Sequence, residues 1–219
     1  MSNEKIGEML ASLSTNKATG LDQIPARFIK DSANVTGGAI AHIINLSIQL
    51  GKVPTEMKRA KVLPLFKKSS RADVKNYRPV SILPTLSKIL ERVVFNQMEK
   101  YLTQNNLLFD LQSGFRSAYS TDTCLTHLCD YIRQESENGN YTGMVLLDLQ
   151  KAFDTVDHSI LLSKLQCMGF GQASLQWFKS YLSDRHQICD YDGVLSEPLP
   201  ISCGVPQGSI LGPCYFLFM

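Results

Sequence analysis

The 219 residues of this chain suffice for one large hydrophobic core or two small ones, and the composition, 44% hydrophobic and 19% charged, is ordinary for a globular protein. These values exclude disordered and collagen-like classes. No apolar run approaches the roughly 20 residues that cross a bilayer, and the first residues lack a basic and apolar leader. We therefore expect an intracellular protein, nuclear or cytoplasmic, that is neither secreted nor held in a membrane.

The net charge of +2 conceals an uneven distribution. Residues 51–100 carry twelve Lys and Arg residues against four Asp and Glu residues, which leaves the rest of the chain with a net charge of −6. A basic block ahead of an acidic one is compatible with one part that contacts phosphates and another that holds a cation. On these counts alone, a solvated surface without a partner is the simpler interpretation.

The N-terminal quarter of the chain is predicted to be helical. Apolar residues at helical spacing mark helices near residues 6–13 and 35–50, and a polar loop around residues 15–22 separates them. The second helix is expected to end at Gly51, because glycine is favoured just past a helix end and Pro54 follows as a stop signal.

A basic, hairpin-like finger is predicted next. Residues 62–66 and 77–82 have the composition of short extended segments, and the polar loop at 67–76 joins them. Pro84 then opens a helix whose apolar stripe continues to Leu102.

The second half of the chain is predicted to contain four helices and one hairpin. The first of these helices begins at the capping residues Ser120 and Thr121 and reaches Ile132. The other three cover residues 160–168, 173–182 and 211–218. The hairpin joins 187–191 to 195–202 through Asp192-Gly193, a dipeptide typical of tight hairpin turns. The loop Gly204-Val-Pro-Gln-Gly-Ser209 has free backbone amides that could cradle a phosphate, although the Gly-Lys-Ser/Thr ending of a P-loop is missing.

Six cysteines are scattered without a Cys-x-x-Cys pair, which argues against a disulfide framework or a structural zinc site. His127 lies between Cys124 and Cys129, but this segment has a helical period. Its predicted apolar face comprises Leu125, Leu128, Cys129 and Ile132. We therefore interpret Cys129 as a buried thiol.

One stretch places a carboxylate directly after an apolar run, Met144 to Leu147 followed by Asp148. The run predicts a short strand covered on both faces, which would fix the backbone of Asp148 at the edge of a cleft. A carboxylate in that position suits Mg²⁺, which takes oxygen ligands in octahedral geometry. An aspartate at a strand end also turns the chain or caps the next helix, and from this stretch alone capping is the simpler interpretation.

Five ordered blocks of the sequence carry a family resemblance. They are Lys17-Ala-Thr-Gly-Leu-Asp-Gln-Ile-Pro25, Asn76-Tyr-Arg-Pro-Val-Ser81, Gln112-Ser-Gly-Phe-Arg116, Asp148-Leu-Gln-Lys-Ala-Phe-Asp-Thr-Val-Asp-His158 and Gly204-Val-Pro-Gln-Gly-Ser209. They resemble the blocks of reverse transcriptases, above all those of non-LTR (LINE-type) retrotransposons. The resemblance implies an α+β fold with the fingers and an incomplete palm of a right-hand polymerase, helix-rich with a small antiparallel sheet. Residues 1–139 would form an N-terminal extension and the fingers, and residues 140–219 the palm.

The resemblance implies roles for residues of the palm. Asp148 matches the first catalytic carboxylate, which would hold Mg²⁺ together with the main-chain carbonyl of Leu149. Phe153 matches the aromatic residue that packs under the incoming sugar and excludes a 2′-hydroxyl. Gln207 and Gly208 match the loop that orders the sugar of the nucleotide and lets the backbone approach it.

The resemblance also assigns cations of the fingers. Arg78 and Lys67 match the residues that hold the triphosphate, where a planar guanidinium can bind two oxygens. Asp154 and His158 match the family as well, and we expect them to have structural roles.

The reaction implied by the resemblance is the template-directed, Mg²⁺-dependent addition of deoxynucleotides to a primer 3′-hydroxyl. The implied partners are an RNA template, a DNA primer and deoxynucleoside triphosphates, and the complete family site holds two Mg²⁺ ions. The Tyr/Phe-Ala-Asp-Asp box that supplies the other carboxylates is missing from these 219 residues, in which no Asp follows Asp192. We therefore expect this chain alone to be catalytically inactive.

Two alternatives stay open at this point. A truncated or domesticated remnant could bind RNA or hybrid duplex through the basic fingers without chemistry. A degenerate reading frame could give a product that does not fold stably and exposes apolar residues such as Phe216 and Phe218. An aspartate-based phosphatase is disfavoured because Gln150 stands where a second Asp is needed, and a serine hydrolase because no Gly-x-Ser-x-Gly elbow occurs.

Overall fold

The computed structural model describes residues 1–215 of the chain. In that span eight α-helices and five β-strands follow one another in runs, which places the structure in the predicted α+β class. The helices are α1 Asn3–Ala11, α2 Ala26–Asp31, α3 Ala33–Leu50, α4 Thr85–Gln104, α5 Thr121–Glu137, α6 His158–Cys167, α7 Gln172–Leu182 and α8 Leu211–Tyr215. The strands are β1 Arg59–Phe66, β2 Tyr77–Ile82, β3 Arg185–Tyr191, β4 Val194–Leu195 and β5 Leu199–Ile201.

Helix ends follow the capping signals of the sequence. α3 ends at Gly51, whose φ of 62° is the left-handed conformation that glycine adopts at no steric cost. Ser120 caps α5 by accepting a hydrogen bond from the backbone of Thr123, whose side chain accepts one in return. The predicted helix at 211–218 is confirmed as far as α8 extends, and its last residues lie outside the described part of the chain.

The predicted basic finger is a β-hairpin. β1 and β2 pair antiparallel, with Leu65 opposite Arg78. Beyond the strands, the N–H of Lys67 donates to the carbonyl of Asn76 at 2.8 Å. This bond continues the pairing one step beyond the strands, so Lys67, which directly follows β1, lies close along the finger to β2, which carries Arg78.

The strands form one mixed sheet in the order β2-β1-β3-β4, and β5 also pairs with β3. β1 and β3 run parallel, with Lys61 opposite Ile188, so the prediction of an antiparallel sheet is wrong for this pair. The reason is the connection, because helices α4 to α7 separate β2 from β3 and a crossover of that length can return a strand in either direction. The sheet draws strands from both sides of the 139/140 boundary, and the division into fingers and palm stays a prediction.

The main hydrophobic core lies among α1, α3, α4, α6 and α7. Trp177 of α7 is buried in it, and its indole N–H donates to the hydroxyl of Ser47 in α3 at 3.1 Å. The backbone N–H of Val53 likewise donates to the hydroxyl of Ser180 at 3.0 Å. Within residues 1–215, no helix combines the length and the apolar character that a membrane span requires.

Residues 103–155, all within the described part of the chain, contribute no buried residue. α5 lies in this region with Leu125 about half exposed, and Cys129 is exposed. The prediction of a buried Cys129 is therefore wrong. The helical period was identified correctly, but the packing of residues 1–215 leaves the apolar stripe of α5 uncovered.

The strand predicted ahead of Asp148 is also absent. Residues 144–147 form neither a helix nor a strand, and their side chains are 56% to 89% exposed. An apolar run becomes a strand only when another strand pairs with it, and none of the strands within residues 1–215 does so. Phe216 and Phe218, which would be exposed under the alternative of a product that does not fold stably, lie outside the described residues.

Candidate functional site

The loop at residues 203–209 is held by the segment that precedes α6. The N–H groups of Gly204 and Val205 donate to the carbonyls of Val156 and Phe153 at 2.8 and 2.7 Å. The Nε2 atom of His158 is hydrogen-bonded to the carbonyl oxygen of Gly204 at 2.7 Å. These bonds give His158 the structural role expected from the sequence.

The other side of the same loop rests on the finger. The N–H of Ser81, in β2, donates to the carbonyl of Gln207 at 2.7 Å. Gly208 has a φ of 122°, and a Cβ atom at this position would lie 2.5 Å from the carbonyl oxygen of Ser81. A glycine is therefore required here by the contact with β2 as well as by the backbone conformation.

Gln207 connects the loop to the predicted catalytic block. Its Nε2 donates to Oδ1 of Asp154 at 3.0 Å. Phe153, the neighbour of Asp154, is partly buried, and its ring meets that of Phe115 edge-on with 6.2 Å between the ring centres. The structure thus brings together Phe153, Gln207 and Gly208, three of the residues predicted from separate blocks.

The predicted fingers cations lie on the hairpin that touches this loop. Arg78 is three residues before Ser81 on β2, a separation of about 10 Å along a strand. Both Arg78 and Lys67 are exposed, and neither has an ion-pair partner among residues 1–215. The finger therefore carries exposed cations on the same hairpin that contacts the loop through Ser81.

Asp148 and Leu149 are not part of this arrangement. Both are exposed, and they follow the unpaired segment at 144–147. Their backbone therefore lacks the strand that was expected to fix it. No hydrogen bond or ion pair of Asp148 is formed within the described residues.

The carboxylates present do not fit a two-ion magnesium centre. Across residues 1–215, no three His, Cys, Asp or Glu side chains lie together in a way that could hold a metal ion. Asp154 is engaged by Gln207. Asp157 caps α6 by accepting hydrogen bonds from the N–H groups of Ser159 and Ile160 at 2.8 and 2.9 Å. Its pKa is lowered, most strongly by the hydrogen bond from the Ser159 hydroxyl and further by those from the two amides.

A buried polar cluster beneath the loop was not predicted. Glu91 of α4 is 1% exposed and accepts hydrogen bonds from the Tyr181 hydroxyl at 2.9 Å and from the N–H of Ile210 at 2.5 Å. Burial raises the pKa of Glu91. Its position gave a signal, because Glu91 lies three residues before Val94 and seven before Met98 on the apolar stripe of the helix.

Comparisons with known proteins agree on one family. A family profile described as "Reverse transcriptase (RNA-dependent DNA polymerase)" matches residues 66–219. The chain is 33% identical over 214 residues to the probable RNA-directed DNA polymerase from transposon BS of Drosophila melanogaster, covering 97% of this chain and 24% of that protein. It is also 33% identical over 214 residues to the RNA-directed DNA polymerase from mobile element jockey of the same organism, with coverage of 97% and 23%.

A further relative is the retrovirus-related Pol polyprotein from type-1 retrotransposable element R2 of Popillia japonica. It is 28% identical over 178 residues, which is 81% of this chain and 24% of that protein. The chain thus spans about a quarter of the length of these relatives. Since the profile matches more than half of the chain, the resemblance seen in the sequence is confirmed: the chain belongs to the reverse transcriptase family, and its relatives are RNA-directed DNA polymerases of non-LTR retrotransposons.

Proposed function

We propose that this chain forms the fingers and part of the palm of a right-hand reverse transcriptase. Its family reaction is the template-directed addition of deoxynucleotides to a primer 3′-hydroxyl on an RNA or DNA template. One observation carries the proposal: the loop at 203–209 bonds to Asp154 on one side and to Ser81 on the other. Three separate sequence blocks therefore converge on one place, as a nucleotide-binding site requires.

In this proposal the converging residues bind the incoming nucleotide. Arg78 and Lys67 hold the triphosphate, since two exposed cations on one hairpin can contact several phosphate oxygens. Phe153 packs under the sugar and excludes a 2′-hydroxyl. Gln207, already oriented by Asp154, contacts the sugar, and Gly208 keeps the loop close to β2.

We propose that Asp148, with the carbonyl of Leu149, contributes one part of a magnesium site. A bound Mg²⁺ would supply charge stabilisation at the reacting phosphate. The described residues do not fit the complete centre, because one exposed carboxylate cannot hold two ions. We therefore propose that the 219-residue polypeptide itself does not extend a primer.

Primer extension tests the catalytic part of this proposal. The purified 219-residue polypeptide is mixed with an RNA template, an annealed DNA primer, Mg²⁺ and deoxynucleoside triphosphates, and single-nucleotide products are resolved on a gel. The expected result is no extension. Mg²⁺-dependent extension by this polypeptide would show that the proposed inactivity is wrong.

Nucleotide affinity tests the binding part. Binding of 2′-deoxyadenosine triphosphate should weaken about tenfold in Arg78→Ala, the loss expected for a charge-assisted contact. Arg27→Ala, which removes another exposed cation, on α2, whose partner is Asp31, should leave the affinity unchanged. Phe153→Ala should reduce the preference for deoxynucleotides over ribonucleotides. Equal effects of the two arginine variants would contradict the proposed site.

A second candidate function is nucleic-acid binding by the finger without chemistry. The observation that favours it is a cluster of exposed finger cations with no ion-pair partner among residues 1–215. The cluster comprises Lys67, Lys68, Arg71, Lys75 and Arg78. Such cations contact phosphates, so binding should fall steeply with salt and show no sequence preference.

A pair of triple variants tests this candidate. Replacing Lys67, Lys68 and Arg78 by Ala should reduce the slope of log affinity against log salt by about 2 for single-stranded RNA, since each phosphate contact contributes about 0.7. The matched control replaces three exposed lysines on other elements, Lys5, Lys52 and Lys179, and removes the same charge. If both triple variants behave alike, the finger is not the binding surface.

A further inference from the structure

The C-terminal end of the loop at 203–209 is hydrogen-bonded, through Ile210, to the buried side chain of Glu91. Glu91 projects from α4 and accepts from the N–H of Ile210 at 2.5 Å through Oε2 and from the Tyr181 hydroxyl at 2.9 Å through Oε1. Ile210 is three residues after Gln207 and immediately precedes α8. One buried carboxyl group therefore ties the C-terminal end of the loop to α4 and α7.

The burial of this group calls for an explanation. Glu91 is the one acidic side chain classed as buried among residues 1–215, and a carboxyl group in that environment is costly unless its oxygens are hydrogen-bonded. Both oxygens are satisfied, one of them by the loop itself. An apolar residue on this stripe would fill the space but would leave the Ile210 N–H and the Tyr181 hydroxyl without that acceptor.

The cation buried nearby favours the same arrangement. Arg185 of β3 is 1% exposed, its guanidinium lies 4.7 Å from the ring centre of Tyr181, and its Nη1 donates to the carbonyl of Tyr181 at 3.0 Å. Its Nε and Nη2 have no hydrogen-bond partner within the described residues. Tyr181 is thus fixed from two sides, by Arg185 and by Glu91, so the hydroxyl that meets Glu91 is itself held in place.

We propose that Glu91 is a positioning residue of the nucleotide site. It holds the end of the loop at Ile210, so that Gln207 stays bonded to Asp154 and Gly208 stays against Ser81 before a nucleotide arrives. This inference rests on the proposed function of the loop. Glu91 touches no substrate in it, and acts only through the backbone of residues 207–210.

Three substitutions of Glu91 separate positioning from bulk stability. Glu91→Gln keeps an acceptor of the same length, Glu91→Asp keeps the charge but withdraws the acceptor by one methylene group, and Glu91→Leu removes the acceptor. Glu99→Leu, on the same helix, is the control. Two quantities are measured on the full chain: hydrogen exchange of the backbone amides in 204–212, and affinity for 2′-deoxyadenosine triphosphate in Mg²⁺.

We expect exchange in the loop to accelerate and nucleotide affinity to fall, each by about tenfold, in Glu91→Asp and Glu91→Leu, because the hydrogen bond from the Ile210 N–H to the buried carboxyl group is lost. Glu91→Gln should preserve both, and Glu99→Leu should change neither. Should Glu91→Leu fail to fold, Glu91→Asp and Glu91→Gln still decide the matter.

Two results would overturn the inference. The first is unchanged loop exchange in Glu91→Asp, and the second is faster exchange spread equally over α4 and α7, which would mark Glu91 as a general stability residue. A wild-type chain that binds no deoxynucleotide would contradict the proposed function instead. Normal wild-type binding that Glu91→Asp leaves intact would contradict only the positioning role.

Discussion

Two segments that the sequence assigns to one site differ in how the rest of the structure contacts them. The loop at 203–209 contains two glycines and a proline, yet its backbone is bonded to Phe153, Val156 and Ser81. The segment at 141–149 is rich in apolar residues, yet its side chains are exposed and no described strand pairs with it. Order in this chain therefore follows the presence of partners and not the apolar content of a segment.

The difference divides the candidate site by function. The residues proposed to bind the nucleotide lie on the hydrogen-bonded loop at 203–209 and on the segments that contact it, and Gln207 is already oriented by Asp154. The carboxylate proposed to bind the metal, Asp148, lies in the exposed segment at 141–149. In the proposed site, the loop that would contact the nucleotide is therefore held by other parts of the chain, and the segment that carries the proposed metal ligand is exposed.

The largest predicted effect is on the free energy of unfolding, when a leucine in the core or in the exposed segment is shortened to alanine. Leu165 of α6 is fully buried in the main core, whereas Leu147 is 89% exposed. Leu165→Ala should lower the free energy of unfolding by about 3 kcal/mol, since a buried leucine leaves a cavity, and Leu147→Ala by less than about 0.5 kcal/mol. Denaturant titration measures both. A large loss in Leu147→Ala would mean that the 141–149 segment is packed in solution.

Two glycines provide a similar contrast in backbone strain. Gly208→Ala should destabilise the protein by about 2 kcal/mol, because the new Cβ meets the Ser81 carbonyl at a φ that disfavours side chains. Gly143 has no atom within 4 Å of its Cβ position. Gly143→Ala should therefore change the stability by less than about 0.5 kcal/mol. Equal losses in the two variants would show that the loop is not fixed on β2.

Two aspartates extend the contrast to polar contacts. Asp154→Ala removes the acceptor of Gln207 and should cost about 1 kcal/mol of unfolding free energy, the usual contribution of one hydrogen bond. Asp148→Ala removes no contact within the described residues and should be neutral. Thermal unfolding of both variants measures the difference. A destabilised Asp148→Ala would reveal a partner for this carboxylate.

Local rules predicted much of the fold from the sequence. The finger hairpin and the helix ending at Gly51 depend on turn and cap chemistry within a few residues, and they form as expected. The family was also recognisable, because its motifs are short and ordered. Phe153, Gln207 and Gly208, predicted from two separate blocks, do lie together.

The failures concern partners that lie far away in the sequence. The strand at 144–147 and the buried Cys129 both required a covering element that residues 1–215 do not supply. The parallel pairing of β1 with β3 depends on how four helices pack between them, which periodicity does not encode. Glu91 was overlooked because a single acid on an apolar stripe looks like an exposed residue until the donors that bond to it, the Tyr181 hydroxyl and the Ile210 N–H, are known.

The smallest predicted effect is a change of stability with pH, and it arises from Glu91, which accepts a hydrogen bond from the residue that follows the loop at 203–209. Burial raises the pKa of Glu91 above its ordinary value of 4.5, and its hydrogen bonds and Arg185 oppose this shift without reversing it. A raised folded-state pKa means that the contribution of Glu91 to stability is complete below about pH 4.5 and is lost as the pH rises through the folded-state value. Wild-type protein should therefore lose stability between pH 4.5 and 7 relative to Glu91→Gln, whose side chain does not titrate. Denaturant titrations at the two pH values measure this difference, and parallel profiles for wild type and Glu91→Gln would mean that burial does not raise the pKa of this carboxyl group.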